Sequence, residues 1–393
     1  MPQKCRESKF YPTNLLKTGV AGFLSQERED LTMRVKIPLL LVLAFSAILS
    51  LPSFSRGKTV EEILTEVNKL PPSERQKRLE EGARKEGSLK FASNESMDSI
   101  QVLHNAFTAK YPFIKMESSR EAGLRGVTRI LLEHRAGRLD IDVLGLPFEG
   151  VVQTEKAGAL ARYNSPQRRY YSAGVKDKEG YWTSPHYSVL AIGYNTKSVK
   201  AEDAPRGYPD LLHPGFKGEL SIDSDPHRAI MAWLTAWGED KTREYIRALL
   251  RNGMMPRKGH TLQTQLLCAG EFKVGVELHA YQIMQARREK GCPIGMTFTD
   301  PTPASTGSHV GITKAAAHPY AAALFIDFML SDEGAKIVAD SGRLPARQGT
   351  RARYEEVSNL EEKGLKLVIT LPDEAYRLEP TTEQLIREIT MSR

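Results

Sequence analysis

The chain has 393 residues, of which 40% are apolar, 26% charged and 8% aromatic. That is enough for about two domains, and it excludes a disordered chain and a polytopic membrane protein. The formal net charge is +7, but no dense basic run accompanies it, so no nucleic-acid partner is expected.

Residues 1–32 are polar and without pattern, and read as an upstream mis-start ahead of a true start at Met33. The stretch MRVKIPLLLVLAFSAILSLPSFSR, 33–56, has the layout of a secretory signal. Arg34 and Lys36 form a basic head, Ile37 to Leu51 an apolar run, and Ser53-Phe54-Ser55 a small-x-small cleavage pattern. We read 33–55 as a cleavable signal peptide that sends the chain to the periplasm. The run is short for a membrane span, which needs about twenty residues; an uncleaved anchor is the alternative. No cysteine directly follows the run, so no lipoprotein anchor is expected. Without 1–55 the chain keeps 48 Lys and Arg against 44 Asp and Glu, net +4. Cys268 and Cys292 also remain. Export permits a disulfide between them, yet neither their count nor their spacing requires one.

Residues 56–85 predict two helices. Val60, Ile63, Leu64 and Val67 share one face, Pro71-Pro72 breaks the first helix, and Ser73-x-x-Gln76 predicts a capping box for the second. LKFA then enters a strand. A helix over 97–110, a strand over 113–117, a helix over 122–136, a strand over 140–146 and a helix near 149–157 follow. This β-α-β-α rhythm argues for an α/β lobe with a sheet covered on both faces. A long strand, 187–195, a Pro-rich turn region and a strand at 219–223 open a second α/β unit. Helices near 226–238, 239–252 and 261–269 come next. VGVELHAYQIM, 274–284, predicts a strand that ends at His279-Ala280-Tyr281 and passes into a helix over 281–290. A strand at 294–299, another at 308–314 and two helices complete the packed region. The charged tail, 346–393, is expected to pack on the surface.

Motifs for well-marked enzyme chemistry are missing: no G-x-S-x-G, H-E-x-x-H, P-loop, C-x-x-C or dinucleotide glycine fingerprint occurs. Ser308 and His309 are adjacent on a strand and would point to opposite faces.

The order of RLEEGARKEGSLKFAS, DIDVLGL, KAGALARYNSP, IGYNTKSVKAEDAP, YPDLLHPGFKGELSI, LLCAGEFKVGV and HPYAAALFIDFMLSDEGAKIVADSGRLPAR resembles the extracellular solute-binding proteins of ABC importers. The branch it resembles includes the ferric-ion-binding proteins, and the likeness covers roughly 75–350. It implies an α/β, two-lobed periplasmic-binding-protein type II fold with two hinge-crossing strands near 187–195 and 299–312. Lobe one would comprise 86–188 plus 308–345, and lobe two 196–300. The resemblance further implies a monomer that holds a small-molecule ligand in its cleft and docks on an ABC permease in the inner membrane. No catalytic residue and no cofactor are expected.

A cleft between α/β lobes gathers helix N-termini, whose free N–H groups favour anions. The turns that would line it supply Ser93, Asn94 and Ser96, then Arg120, then Asp225, His227 and Arg228, and finally His279 and Tyr281. Arg forks suit carboxylate or phosphate oxygens, so the expected ligand is a small organic anion or oxyanion. Each residue also has a plainer role: Ser93 and Ser96 can simply cap a helix, Arg120 can be a solvated charge, and Asp225-Pro226 can simply begin one. His260 has the weakest functional case. The alternative is ferric iron held by Tyr281 and His279, with Glu149 and Asp225 as further donors. Many ferric-binding relatives carry adjacent tyrosines where this chain has Ala280-Tyr281, and a hard cation needs several anionic oxygens. A less favoured alternative is an exported enzyme on the same scaffold, with His279, His227 and Glu149 as acid–base groups.

Overall fold

The structure, a computed structural model, describes residues 57–391 except 122, 359, 361 and 371. The mis-start and signal peptide read over 1–55 lie outside the described residues. No helix among the described residues is long and apolar enough to cross a membrane.

Thr59 and Glu62 close a capping box that starts α1 (Val60–Asn68). The box expected at Ser73 does not form. Helix α2 (Pro72–Glu86) begins two residues before the start such a box implies, with Pro72 as its first residue. Proline lacks the N–H that would go unpaired there, so Ser73 falls inside the helix. Gly87, at φ 66°, ends α2 in the left-handed region and releases the chain into the first sheet.

That sheet has the order β2-β1-β3-β11-β4. Strands β1 (Ser88–Ser93), β2 (Lys115–Arg120) and β3 (Val143–Leu146) run parallel, joined through α3 (Met97–Lys110) and α4 (Gly123–Arg135). Strand β4 (Leu160–Ala161) follows α5 (Phe148–Lys156). The late strand β11 (His309–Thr313) inserts antiparallel between β3 and β4. Helices α10 (Pro319–Met329) and α11 (Asp332–Asp340) return to cover this lobe. Phe325 of α10 packs edge-on against Phe91 and Phe107, at 4.8 and 5.0 Å between ring centres.

The second sheet has the order β13-β10-β5-β8-β6-β7. Its members are β5 (His186–Asn195), β6 (Leu220–Asp223), β7 (Met255–Arg257), β8 (Val274–His279), β10 (Thr302–Gly307) and β13 (Leu367–Ile369). Strand β9 (Ile294–Thr297) and the short β12 (Leu344–Pro345) also pair with β5. Helices α6 (His227–Trp237), α7 (Glu239–Arg251), α8 (His260–Ala269) and α9 (Ala280–Lys290) complete the lobe around a core that includes Trp233, Ile246 and Val276. A disulfide joins Cys268 on α8 to Cys292 just after α9, resolving the pairing that the sequence left open.

The tail does more than pack on the surface. Strand β13 adds a parallel edge to β10, and α12 (Pro372–Met391) lays the fully buried Leu385 and Ile389 on the second lobe's core. The spacing of Leu378, Leu385 and Ile389 is helical, but frequent charges and Pro380 within the helix obscure it in the sequence.

Candidate ligand-binding cleft

Two antiparallel segments pass from one lobe to the other. Thr183 bridges Val310 in the first lobe, and the same register continues from His186–Gly307 to Val189–Ala304 in the second. Ser308 sits between β10 and β11 at φ 34°, a positive value that a non-glycine residue seldom adopts. Its hydroxyl lies 3.3 Å from that of Ser93 at the end of β1. Gly307 is needed beside it, because a Cβ there would fall 2.2 Å from the His186 ring.

Strand ends meet helix starts around this crossing. In the first lobe β1 passes into α3 through Ser93, Asn94, Glu95 and Ser96. In the second, β6 leads to α6, β7 to α8 and β8 to α9, placing Arg228, His260 and Tyr281 in the first turns of three helices. Parallel strands deliver their carboxyl ends to one edge, and helix N-termini collect there.

The centre of the cleft is a buried ion pair that the sequence reading did not single out. Arg343 Nη2 donates to Glu95 Oε2 at 2.5 Å, and Nη1 donates to the hydroxyls of Ser99 and Ser341 at 3.2 and 3.1 Å. Gly342, at φ 83°, turns the chain at the end of α11 so that Arg343 points inward; a Cβ there would strike the Tyr354 ring. The guanidinium lies 4.1 Å over the Tyr281 ring. Glu95 and Arg343 belong to the first lobe's helical layer and Tyr281 to the second lobe, so this contact spans the cleft. Burial pushes the Glu95 carboxyl up, but Arg343, His186, Arg228 and Arg120 outweigh it and hold it below the ordinary carboxylate range.

Burial disfavours the imidazolium form of His186, His260 and His279. Burial pushes His186 down to about 4, against the pull of Glu95. Burial, then the charges of His260, Arg228 and Arg343, holds His279 well below its usual value. Burial likewise lowers His260, whose ring lies 4.4 Å from that of His279. His260 Nδ1 meets the Glu277 carbonyl at 3.1 Å, and its Nε2 lies 3.5 Å from Asp223.

Arg228 differs from Arg343. It is half-buried, and it makes no ion pair or hydrogen bond among the described residues. Its charge acts at longer range on the carboxylates of Glu95 and Asp225 and on His186, His260, His279 and Tyr281. It borders a small cavity of about 40 Å³ with Glu149, Ser305 and Thr306. Several buried polar atoms nearby also lack hydrogen-bond partners among the described residues: Asn94 Oδ1, His279 Nδ1 and Ser305 Oγ, while His186 Nε2 faces only the Glu95 carboxylate at 3.4 Å. Such atoms are rare in folded proteins unless something else meets them.

Of the residues singled out from the sequence, Ser93, Asn94, Arg228, His279 and Tyr281 come together here. Arg120 ends β2 on an exposed rim and acts on Glu95 at longer range. Ser96 is exposed and caps α3, its hydroxyl accepting from Ser99 N. Asp225 and His227 pair with each other, and His227 Nε2 turns to Glu379 and Glu383 of α12. The sequence reading passed over Arg343 and His186. Arg343 lies in the SGRLPAR end of the resemblance, but only the Gly342 turn shows where it points. Trp182 packs against His309 and Phe148 and donates to Glu155, so it serves the first lobe's core.

A ferric ion would find few free donors. Burial pushes the Tyr281 phenol up despite Arg343, and the Glu95 carboxylate is already held by Arg343. Tetrahedral or octahedral capture of a hard trication calls for several unpaired anionic oxygens.

Residues 148–368 match the family described as bacterial extracellular solute-binding protein. A protein of Haemophilus influenzae, named only as an uncharacterized protein, is 25% identical over 252 residues, covering 60% of this chain and 71% of that one. The crystal structure of iron-bound HitA from Pseudomonas aeruginosa matches with a TM-score of 0.67 at 20% identity, over 77% of this chain and 99% of that one. The periplasmic binding protein AfuA from Actinobacillus pleuropneumoniae, with exogenous fructose-6-phosphate bound, matches at 0.64 and 22% identity, over 77% and 97%. At these identities the likeness is one of fold: two α/β lobes joined by two crossing strands.

Proposed function

The chain belongs to the bacterial extracellular solute-binding protein family, the binding components of ABC importers, and from that premise we propose that it captures a small organic phosphate or carboxylate between its lobes. In this reading it is exported by the signal at 33–55, works in the periplasm as a monomer and hands its ligand to an inner-membrane permease. Lobe one would hold about 86–188 with 308–345, and lobe two about 196–300.

The observation that carries the anionic ligand is Arg228. A half-buried guanidinium that makes no ion pair or side-chain hydrogen bond among the described residues, at a helix N-terminus and near His186 and His279, whose imidazolium forms burial disfavours, favours an incoming anion. Arg343 cannot take this role, because Glu95 neutralises it. Asn94, His279 and Ser305 add neutral groups that can orient the rest of the molecule. Tyr281 lends a hydroxyl and an apolar ring face. The hexose phosphate in AfuA makes hexose phosphates the first probes.

The test is calorimetric titration of the purified chain from Arg56 onward with hexose phosphates, small carboxylates and ferric citrate. Binding of a phosphate or carboxylate that returns chemically unchanged supports the proposal. Binding of ferric iron with a tyrosinate charge-transfer band that vanishes in Tyr281→Phe would replace it with the iron reading. Turnover of the probe would replace it with an enzyme.

A further inference from the structure

We propose that His227, Glu379 and Glu383 form a site for one divalent transition-metal ion of the zinc type, outside the cleft, which pins the C-terminal helix to the start of α6.

The three ligand atoms, one from each residue, all lie within 4.8 Å of one another. His227 is the first residue of α6, while Glu379 and Glu383 are one turn apart on α12. His227 Nε2 stands 3.5 Å from a Glu379 oxygen and 3.3 Å from a Glu383 oxygen. Those separations are long for N–H···O hydrogen bonds. They match the edge of a tetrahedron, about 3.3 Å, built from metal bonds of about 2.0–2.1 Å. Nε2 is buried, and the two glutamate carboxylates are the groups that face it. The other ring nitrogen, Nδ1, is engaged by the Asp225 carboxylate. That is the second-shell contact that orients a metal-binding imidazole once the Nε2 proton has left.

Two carboxylates at i and i+4 on one helix face repel each other unless a cation lies between them. Arg387 pairs with Glu383 at 3.6 Å; the cation between the two carboxylates is a protonated His227 or a metal ion, whose entry releases the Nε2 proton to solvent. One imidazole nitrogen and two carboxylate oxygens suit zinc or its cobalt surrogate, with a fourth position left for water. Both glutamates are partly exposed, with 37% and 46% of their side chains accessible, so an ion can enter from solvent. The helix so pinned also reaches the first lobe: Lys156 Nζ of α5 lies 4.0 Å from the Tyr376 ring centre. The metal would therefore steady a helix that packs on the second lobe and also touches the first.

The experiment is titration of the full exported chain with Zn²⁺ by equilibrium dialysis, and with Co²⁺ by visible absorption. We expect one ion per chain, a Co²⁺ band of a four-coordinate site, and at least a 100-fold weaker affinity in Glu383→Gln and in His227→Asn. Asp225→Asn, which spares all three ligands, should weaken binding about 10- to 100-fold. His279→Gln, in the cleft, should keep the signal. Absence of stoichiometric binding in the wild-type chain would show that His227 is only an ion-paired imidazolium. Loss of binding in His279→Gln but not in Glu383→Gln would place the metal in the cleft. Either result overturns the proposal.

Discussion

Two arginines face the same cleft and do opposite things. Arg343 is 5% exposed in its side chain, locked to Glu95 and seated over Tyr281. Arg228 is half-buried at the start of α6 and makes no direct ion pair among the described residues, acting on Glu95 and Asp225 only at longer range. A buried, fully paired guanidinium organises the walls of a site, whereas an unpaired one at a helix N-terminus attracts a ligand. The difference teaches that a cation's partners, more than its presence in a cleft, decide whether it serves the fold or the solute.

Breaking Arg343 should have the largest effect. Arg343→Ala leaves the Glu95 carboxylate buried without its partner, which typically costs about 3–5 kcal/mol. Urea unfolding measures this loss. The double variant Arg343→Met with Glu95→Gln should recover most of it, since no charge is then stranded. A loss under about 1 kcal/mol in the single variant would mean that the pair is dispensable.

Acid should act on the same wall. His186 lies at about 4 and His309 at about 3 in the folded chain, both below the ordinary histidine value near 6.5 because burial disfavours the imidazolium. Groups depressed on folding contribute stability that is present above the unfolded value and lost as pH falls through the folded one. Stability should therefore fall between pH 6.5 and about 3. At about 1.4 kcal/mol per pK unit, His186 alone accounts for on the order of 3 kcal/mol. His186→Gln should flatten that part of the curve; an unchanged pH profile would remove His186 from the account.

Arg228 is the other side of the comparison. Arg228→Ala should weaken an anionic ligand by about 1.5–3 kcal/mol, roughly 10- to 150-fold, the range for a charge-assisted hydrogen bond. Folding stability should change by no more than about 0.5 kcal/mol, as for substitutions that strand no partner. Calorimetry paired with urea unfolding separates the two, and a stability loss as large as that of Arg343→Ala would erase the distinction between the arginines.

The smallest effect is expected at Tyr281, which lies under Arg343 and feels the charge of Arg228. Tyr281→Phe keeps the ring under Arg343 and removes only a neutral hydroxyl, so affinity should fall by about 0.5–1.5 kcal/mol. Wild-type affinity in Tyr281→Ala would show that the His279-Ala280-Tyr281 turn is structural.

The alternation of strands and helices and the junction at His279-Ala280-Tyr281 were legible in the sequence, because side-chain periodicity is a local property. Arg228 and Tyr281 could be placed near a cleft for the same reason: each follows a strand and opens a helix. Other features were not legible. His227, one residue before Arg228, turns to α12 instead of the cleft, and no local pattern distinguishes the two. Arg343 meets Glu95 across 248 positions of sequence, through a turn at Gly342 whose direction depends on the packing of α11. The tail's helix was obscured because its charges outnumber the few apolar residues that bury it. The sequence by itself determined the elements and the helix starts at which anions can bind. Only the tertiary structure decided which charges neutralise one another, because ion pairing and burial depend on what the fold brings within a few ångströms.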